Sequence, residues 1–196
     1  LAPDEKQKQA DEYLEHAVNY MELEMYEKAI EQFTLAIKSK GLSPSALMAC
    51  YLLRGFAFLD LDREKEAGLD FKMAKDLAIN DEKKATIEYS IGFTYFSRGR
   101  FDEAMGYFKE AVRLSPDDPV FRNDLGRVYY QQGKYLEAVV HLDKAIQIDP
   151  EYGLAYMNRG LAHFALRDWA VSAKDLKMAL ELEPDIIGKE ALMRLK

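Results

Sequence analysis

The sequence predicts an all-α fold made of repeated pairs of helices, and three observations lead to this prediction. Apolar residues recur at spacings of three and four, whereas the strict alternation that is typical of strands is absent over any useful length. Pro116, Pro150 and Pro184 are spaced 34 residues apart. Apolar residues make up 48% of the 196 residues, which is enough to fill a core along the whole chain.

The same period defines other positions of a repeated unit. Gly92, Gly126 and Gly160 each lie 24 residues before one of these prolines. A glycine inside a helix costs roughly 1 kcal/mol relative to alanine, so its recurrence at one phase indicates a close helix crossing. Towards the N-terminus, Gly55 and Ala17 hold the same place at spacings of 37 and 38 residues. The surplus is about one helical turn, which lengthens a helix and keeps its buried face in phase.

The residue pattern within each repeat predicts two helices joined by a tight turn. In the fourth repeat, Phe121, Leu125 and Val128 mark the first helix. Gly133 then interrupts the pattern, and Tyr135 begins the second helix. The residue before a proline disfavours the α conformation, so each repeat is expected to end at its proline. The prediction is a single domain over residues 1–196, with repeats at about 10–43, 48–81, 85–118, 119–152 and 153–186 and a short C-terminal capping helix at 187–196.

These residues resemble the tetratricopeptide repeat (TPR), a helix–turn–helix unit with small-residue, aromatic and terminal-proline positions. The last two repeats match that pattern closely, and the second departs most, with Asp62 at the turn and Ile79 at the proline place. The resemblance implies a right-handed α-solenoid whose first helices line a concave groove. It also implies a non-enzymatic scaffold or adaptor that binds a peptide or helix of another protein there.

The residues expected to face that groove are mostly apolar. Three positions of each first helix are expected to face the groove. At the middle one, family members usually carry a polar residue, whereas this chain carries Val18, Phe56, Phe93 and Leu161. An exposed stripe of this extent exceeds what monomers usually leave in water, so we expect a partner's amphipathic helix or apolar peptide to cover it. The predicted groove residues are Leu14, Val18, Leu52, Phe56, Tyr89, Phe93, Phe96, Asn123, Arg127, Tyr130, Met157, Leu161 and Phe164.

Other interpretations of this stripe stay open at the level of the sequence. Part of the stripe could pack between neighbouring helices and be buried already. Alternatively, a homo-oligomer would fill the groove with its own terminal segment or with another copy. A third hypothesis, an enzyme, finds no support, because no nucleophile–base spacing or metal-ligand spacing rises above background.

A familiar binding mode of the family is disfavoured. Some members clamp a partner's terminal carboxylate with Lys, Asn and Arg spread over three repeats. The matching positions are Leu14, Val18, Leu53, Thr86 and Ser90 in repeats one to three, and Tyr89, Phe93, Asp124, Leu154 and Asn158 in repeats three to five. Neither set offers a cationic cluster. Arg127 and Asn123 are expected instead to hold a polar group on an otherwise apolar ligand.

Composition and charge argue against several classes of function. The net charge of −7 argues against nucleic acid as the main partner. No apolar run reaches the roughly 18 to 20 residues that span a bilayer, so no membrane span is expected. The single cysteine, Cys50, excludes an internal disulfide and a thiolate zinc cage, and no cofactor or metal is expected. A chain without disulfides is compatible with a cytoplasmic location, and a periplasmic or membrane-tethered one stays open. Because it begins with Leu1, we expect a processed product.

The three histidines are expected to be structural. His16 and His163 occupy phases that carry apolar or aromatic residues in other repeats, which predicts packing. His141 falls at a phase that is expected to be exposed. No metal-binding or acid–base motif surrounds any of the three.

Overall fold

The structure is a computed structural model that describes residues 2–184, and the predicted cap at residues 187–196 lies outside them. Within the described range the chain forms ten α-helices and no strand. The helices are α1 Pro3–Glu22, α2 Tyr26–Ser39, α3 Pro44–Asp60, α4 Glu64–Asp76, α5 Asp81–Ser97, α6 Phe101–Leu114, α7 Pro119–Gln131, α8 Tyr135–Ile148, α9 Gly153–Ala165 and α10 Trp169–Leu182. The predicted all-α class and its helix–turn–helix pattern are confirmed. None of these helices is both long enough and apolar enough to cross a membrane.

The helices belong to two compact units. Unit 1 spans Leu1–Ile87 and unit 2 spans Glu88–Lys196, so the division falls within α5. The core of unit 1 includes fully buried Ala17, Phe33 and Cys50. The expectation of a single domain stays a prediction.

The longer spacings in the N-terminal half appear as longer first helices. α3 and α5 each have 17 residues, whereas α7 and α9 each have 13. α3 begins at Pro44, and Ser43 caps it by accepting a hydrogen bond from the Ala46 amide at 3.3 Å. α7 likewise begins at Pro119, and the Asp118 carboxylate accepts hydrogen bonds from two backbone amides. The surplus residues therefore form an additional turn near the start of α3 and of α5.

Close crossing of the two helices in a pair explains the recurring small residue. A Cβ atom added at Gly126 would lie 2.7 Å from Cγ of Leu142. One added at Gly55 would lie 2.5 Å from a ring carbon of Phe71. Real Cβ atoms essentially never approach that closely, so a larger residue would push the helices apart.

The turn between the helices of each pair contains one residue in the left-handed region. Gly99 and Gly133 fill this place with φ of +72° and +73°. Glu24, Asp62 and Arg167 fill it in the other turns with φ of +56°, +57° and +63°. These five residues are spaced 38, 37, 34 and 34 apart, like the small residues of the helix crossings. A side chain in this conformation costs roughly 1–2 kcal/mol, so three turns are locally strained.

A bidentate ion pair joins the two helices of one pair in each unit. In unit 1, Arg54 on α3 donates from Nε and Nη2 to the carboxylate of Asp70 on α4 at 2.7 and 2.8 Å. Its Nη1 donates to Thr34 Oγ1 on α2 at 2.9 Å, which adds a third helix. In unit 2, Arg159 and Asp175 form the same bidentate pair at 2.8 and 2.6 Å. These side chains are mostly buried, so each pair stabilises the packing of the helices that it connects.

Two of the three expectations for the histidines are wrong. His141 is not exposed, because its ring stacks on Tyr129 at 5.1 Å between ring centroids and its Nδ1 atom is buried. His16 is exposed, because no helix of the described residues precedes α1 to cover it, whereas α6 precedes α7, where Leu125 holds the same repeat position and is 1% exposed. His163 is half-buried, as expected for a packed side chain.

Candidate functional site

A pocket of about 510 Å³ opens in unit 2, between the first helices of three successive pairs. α5 contributes Tyr89 and Phe93, and α7 contributes six residues that include Val120 and Gln131. α9 contributes a wall that includes Leu154, and further lining comes from the segment just before α9. The volume suits one or two large side chains of a bound segment.

A connected set of polar side chains, the polar network, links the three helices at this pocket. It consists of Tyr89, Asn123, Asp124, Arg127 and Asn158. Tyr89 Oη on α5 donates to Asp124 Oδ2 on α7 at 2.8 Å. Asn158 Nδ2 on α9 donates to Asn123 Oδ1 at 2.8 Å. Asn123 Nδ2 donates in turn to Asp124 Oδ1 at 3.0 Å, which completes the connection from α5 through α7 to α9.

Asp124 is the centre of the polar network. Its side chain accepts hydrogen bonds on both oxygens, and the residue is only 4% exposed. Three donors, one of them cationic, offset the cost of burying its charge. Burial raises the pKa of Tyr152 to about 12, and the Asp124 carboxylate adds to this shift. The pKa of Tyr89 is raised for the same two reasons, so both phenols stay protonated donors.

Arg127 reaches from the polar network towards the pocket opening. Its Nη1 donates to Asp124 Oδ1 at 2.8 Å, and its guanidinium carbon lies 4.7 Å from the centre of the Phe96 ring. The hydrogen bond to the carboxylate and the contact with the aromatic ring restrict the position of the guanidinium. The side chain nevertheless remains 36% exposed. Arg127 is therefore held in place while part of it faces water.

Apolar side chains surround this polar centre, and three of them form what we call the apolar rim. Phe93, Val120 and Leu161 are 45%, 37% and 37% exposed although all three line the pocket. The Tyr89 ring stacks on Phe121 at 4.8 Å between centroids, which fixes the pocket wall beside Phe93. An apolar rim around a fixed polar centre can bind a large apolar side chain and orient a polar group next to it.

Comparison with known proteins identifies the fold family. A family model described as TPR repeat matches residues 92–133 and 126–166. The first TPR of Spaghetti (RPAP3), solved bound to HSP90 peptide SRMEEVD, is 31% identical over 60% of this chain and 93% of that chain, with a TM-score of 0.55. The chain belongs to the tetratricopeptide repeat family.

Other TPR structures agree with this assignment. The first TPR domain of the human RPAP3 protein is 31% identical over 57% of this chain and 86% of that chain, with a TM-score of 0.53. YrrB, a TPR protein with an unusual peptide-binding site, shares the fold at 21% identity over 99% of this chain and 95% of that chain, with a TM-score of 0.65. No curated protein sequence matches this TPR chain.

Unit 2 brings together seven of the thirteen predicted groove residues. The seven that line the pocket are Tyr89, Phe93, Asn123, Arg127, Tyr130, Met157 and Leu161. Phe96 lies beside the pocket, beneath the guanidinium of Arg127. Phe164 packs edge-on against Trp169 at 4.9 Å between ring centroids. Asn123 is only 1% exposed, so its amide serves the polar network.

The four predicted groove residues of unit 1 are half-buried. Leu14 packs against the core that contains Ala17. The Phe56 ring lies 5.4 Å from the ring of Phe71. Leu52 and Val18 are likewise half-buried. Their role in binding stays a prediction.

Six pocket residues were not among the predicted groove residues: Val120, Asp124, Gln131, Tyr152, Leu154 and Asn158. For two of these residues, Asp124 and Asn158, the sequence did contain a periodic signal. Ser90, Asp124 and Asn158 are 34 residues apart, so a polar residue recurs at one phase of three first helices. Two of these three belong to the polar network.

Proposed function

We propose that this TPR chain is an interaction module whose unit 2 pocket binds an amphipathic helix or apolar peptide segment of a partner protein. The observation that carries the proposal is the apolar rim, formed by Phe93, Val120 and Leu161, beside a polar network that is already in place. These side chains are already more than half buried, so covering the part of each that remains exposed is worth roughly 0.5–1.5 kcal/mol, and together they supply a driving force for binding. The hydrogen bonds of the network reduce the cost of ordering the site on binding.

A terminal carboxylate is not the group that this pocket suits. The Spaghetti TPR structure shows that a TPR of similar sequence binds a peptide, which is an acidic one. Here the positions expected for a carboxylate clamp carry Tyr89, Phe93, Leu154 and the acidic Asp124. We therefore propose an internal, mainly apolar segment as the occupant, rather than an acidic C-terminus.

The test uses a library of peptides about 15 residues long, acetylated and amidated so that no terminal charge contributes. Wild type is compared with Phe93→Asp, and with Val140→Asp as a matched control. Val140 is 60% exposed on α8 and does not line the pocket. Because an aspartate in the rim would lose apolar contact and need desolvation, we expect Phe93→Asp to weaken the best peptide about 30-fold or more. Val140→Asp should change its affinity less than about twofold.

The proposal is wrong if wild type selects no peptide, or if both variants bind the selected peptide as wild type does. Sedimentation at several protein concentrations tests the alternative in which another copy fills the pocket. An oligomer that dissociates in Phe93→Asp but not in Val140→Asp would favour that alternative.

A further inference from the structure

We propose that the segment bound by the unit 2 pocket carries one internal Asp or Glu among its apolar side chains, and that Arg127 binds this carboxylate. The inference rests on the proposed function and specifies the chemistry of the partner. It concerns a side-chain carboxylate, and therefore differs from capture of a chain terminus.

The first argument is charge complementarity within the pocket. Among the described residues that line it, Arg127 is the only cation and Asp124 is the only anion. Asp124 is 4% exposed and accepts hydrogen bonds on both oxygens, whereas the Arg127 side chain is 36% exposed. A bound segment therefore meets the cation before the anion. Because Coulomb energy falls with distance, a carboxylate in contact with Arg127 gains more than it loses to the deeper Asp124.

The second argument is the geometry of the guanidinium. Within residues 2–184, the Arg127 guanidinium donates to Asp124 Oδ1 through Nη1, whereas its Nε and Nη2 groups donate to none of these residues. The Nε and Nη2 groups form a planar fork that matches the two oxygens of a carboxylate. The guanidinium carbon lies over the Phe96 ring at 4.7 Å from its centre, and the Arg127 side chain as a whole remains 36% exposed.

At two other arginines of this protein, the corresponding Nε and Nη2 groups bind a carboxylate. Arg54 binds Asp70 through Nε and Nη2 at 2.7 and 2.8 Å. Arg159 binds Asp175 through the same two groups at 2.8 and 2.6 Å. In both pairs the fork is closed by an aspartate of the chain itself. At Arg127 the fork is open, and a partner's carboxylate would complete it.

The apolar rim determines what must flank the acidic residue. Phe93 and Leu161 line the pocket together with Arg127, so the bound segment must bring apolar side chains next to its carboxylate. Their burial would exclude water and strengthen the ion pair. A peptide that is acidic throughout would lack these apolar contacts.

The experiment uses the same end-blocked peptide library with the full chain. In the pool that wild type selects, we expect Asp or Glu to be enriched at one internal position flanked by large apolar residues. A synthetic peptide from that pool should bind wild type about tenfold more tightly than its Glu→Gln or Asp→Asn counterpart. With Arg127→Met, the two peptides should bind within about twofold of each other.

Two further variants control for charge and folding. Arg122→Met changes another arginine on α7, whose Nε donates to the Pro116 carbonyl outside the pocket, and it should keep the full acid preference. Arg127→Lys keeps the charge but not the fork, so it should keep part of the preference. Thermal melting of each variant verifies that it is folded.

The outcomes separate this inference from the proposed function. Peptides that depend on Phe93 but show no acid preference would overturn the inference and leave the proposed function standing. An acid preference that persists in Arg127→Met would do the same. The absence of any binding that depends on Phe93 would overturn both.

Discussion

Unit 1 and unit 2 place equivalent side chains in different surroundings. Phe56 and Phe93 occupy the same repeat position, yet Phe56 is half-buried against Phe71 and Phe93 is 45% exposed at a pocket. Two arginines at different repeat positions also differ. Arg54 in unit 1, like its unit 2 equivalent Arg159, has its fork closed on an aspartate and is only 15% exposed. Arg127, at the repeat position of Phe56 and Phe93, is 36% exposed with its fork open.

This difference teaches that repeat position alone does not decide whether a side chain is packed within the fold or exposed at a pocket. The neighbouring helices decide it, because they either supply the partner of a side chain or leave that partner to be supplied from outside. A closed arginine fork joins two helices of the chain. An open one at an apolar pocket is suited to a ligand. The predictions below test this contrast.

The largest expected effect concerns the two arginines. Arg54→Ala should lower the free energy of unfolding by about 3 kcal/mol, because it leaves Asp70 buried without its charged partner. Arg127→Ala should lower it by about 1 kcal/mol, because Asp124 keeps two other donors. Urea denaturation measures both. Arg63→Ala breaks an exposed pair with Glu66 and should leave the urea midpoint essentially unchanged. Equal losses for Arg54→Ala and Arg127→Ala would remove the contrast.

A second effect concerns pH, because His141 in unit 2 holds the repeat position of Asp70 in unit 1. Burial lowers the pKa of His141, and the positive charges of Arg122 and Lys109 lower it further. In the unfolded chain this pKa returns to about 6.5. The unfolded state therefore binds the proton more readily, and the stability of the fold should fall as the pH drops from about 6.5 through the lowered pKa.

His141→Phe should keep the ring stack on Tyr129 and remove this part of the pH dependence. Urea denaturation at pH 7 and pH 5 measures it, as the difference between wild type and variant. A pH dependence unaltered in His141→Phe would show that the buried imidazole does not titrate as described.

The smallest effect concerns the strained turns, and it can be measured at one of them in each unit. Asp62→Gly and Arg167→Gly place glycine at a positive φ, so each should raise the free energy of unfolding by about 0.5–1 kcal/mol. Gly133→Ala is the converse change and should lower it by about 1 kcal/mol. Thermal and urea denaturation measure these shifts. A gain in only one unit would mean that the turns of the two units differ more than their backbones indicate.

Much of the fold was predictable because its determinants are local and periodic. The recurrence of Gly92, Gly126 and Gly160 indicated close helix crossings, and the structure shows why a Cβ does not fit there. The period also placed Phe93 and Leu161 on one surface. These features follow from residue size and helical phase, both of which can be read along a single helix.

The polar network was not predictable in the same way. Its key hydrogen bonds join residues 35 apart, Tyr89 to Asp124 and Asn123 to Asn158, and each pair lies on two different helices. Periodicity shows which residues share a phase, but not which side chains from successive repeats meet. His141 was mistaken for an exposed residue for a similar reason, because its stack on Tyr129 depends on the partner helix.

The most direct test of binding in the unit 2 pocket is a titration of methionine methyl groups by NMR, with an end-blocked peptide that wild type selects. The chain has 8 methionines, and Met157→Leu and Met73→Leu assign the two informative signals. Met157 lines the pocket, whereas Met73 is 42% exposed in unit 1. We expect the Met157 methyl signal to shift in proportion to bound peptide while the Met73 signal stays in place. Saturable binding that shifts Met73 and leaves Met157 unmoved would contradict the account.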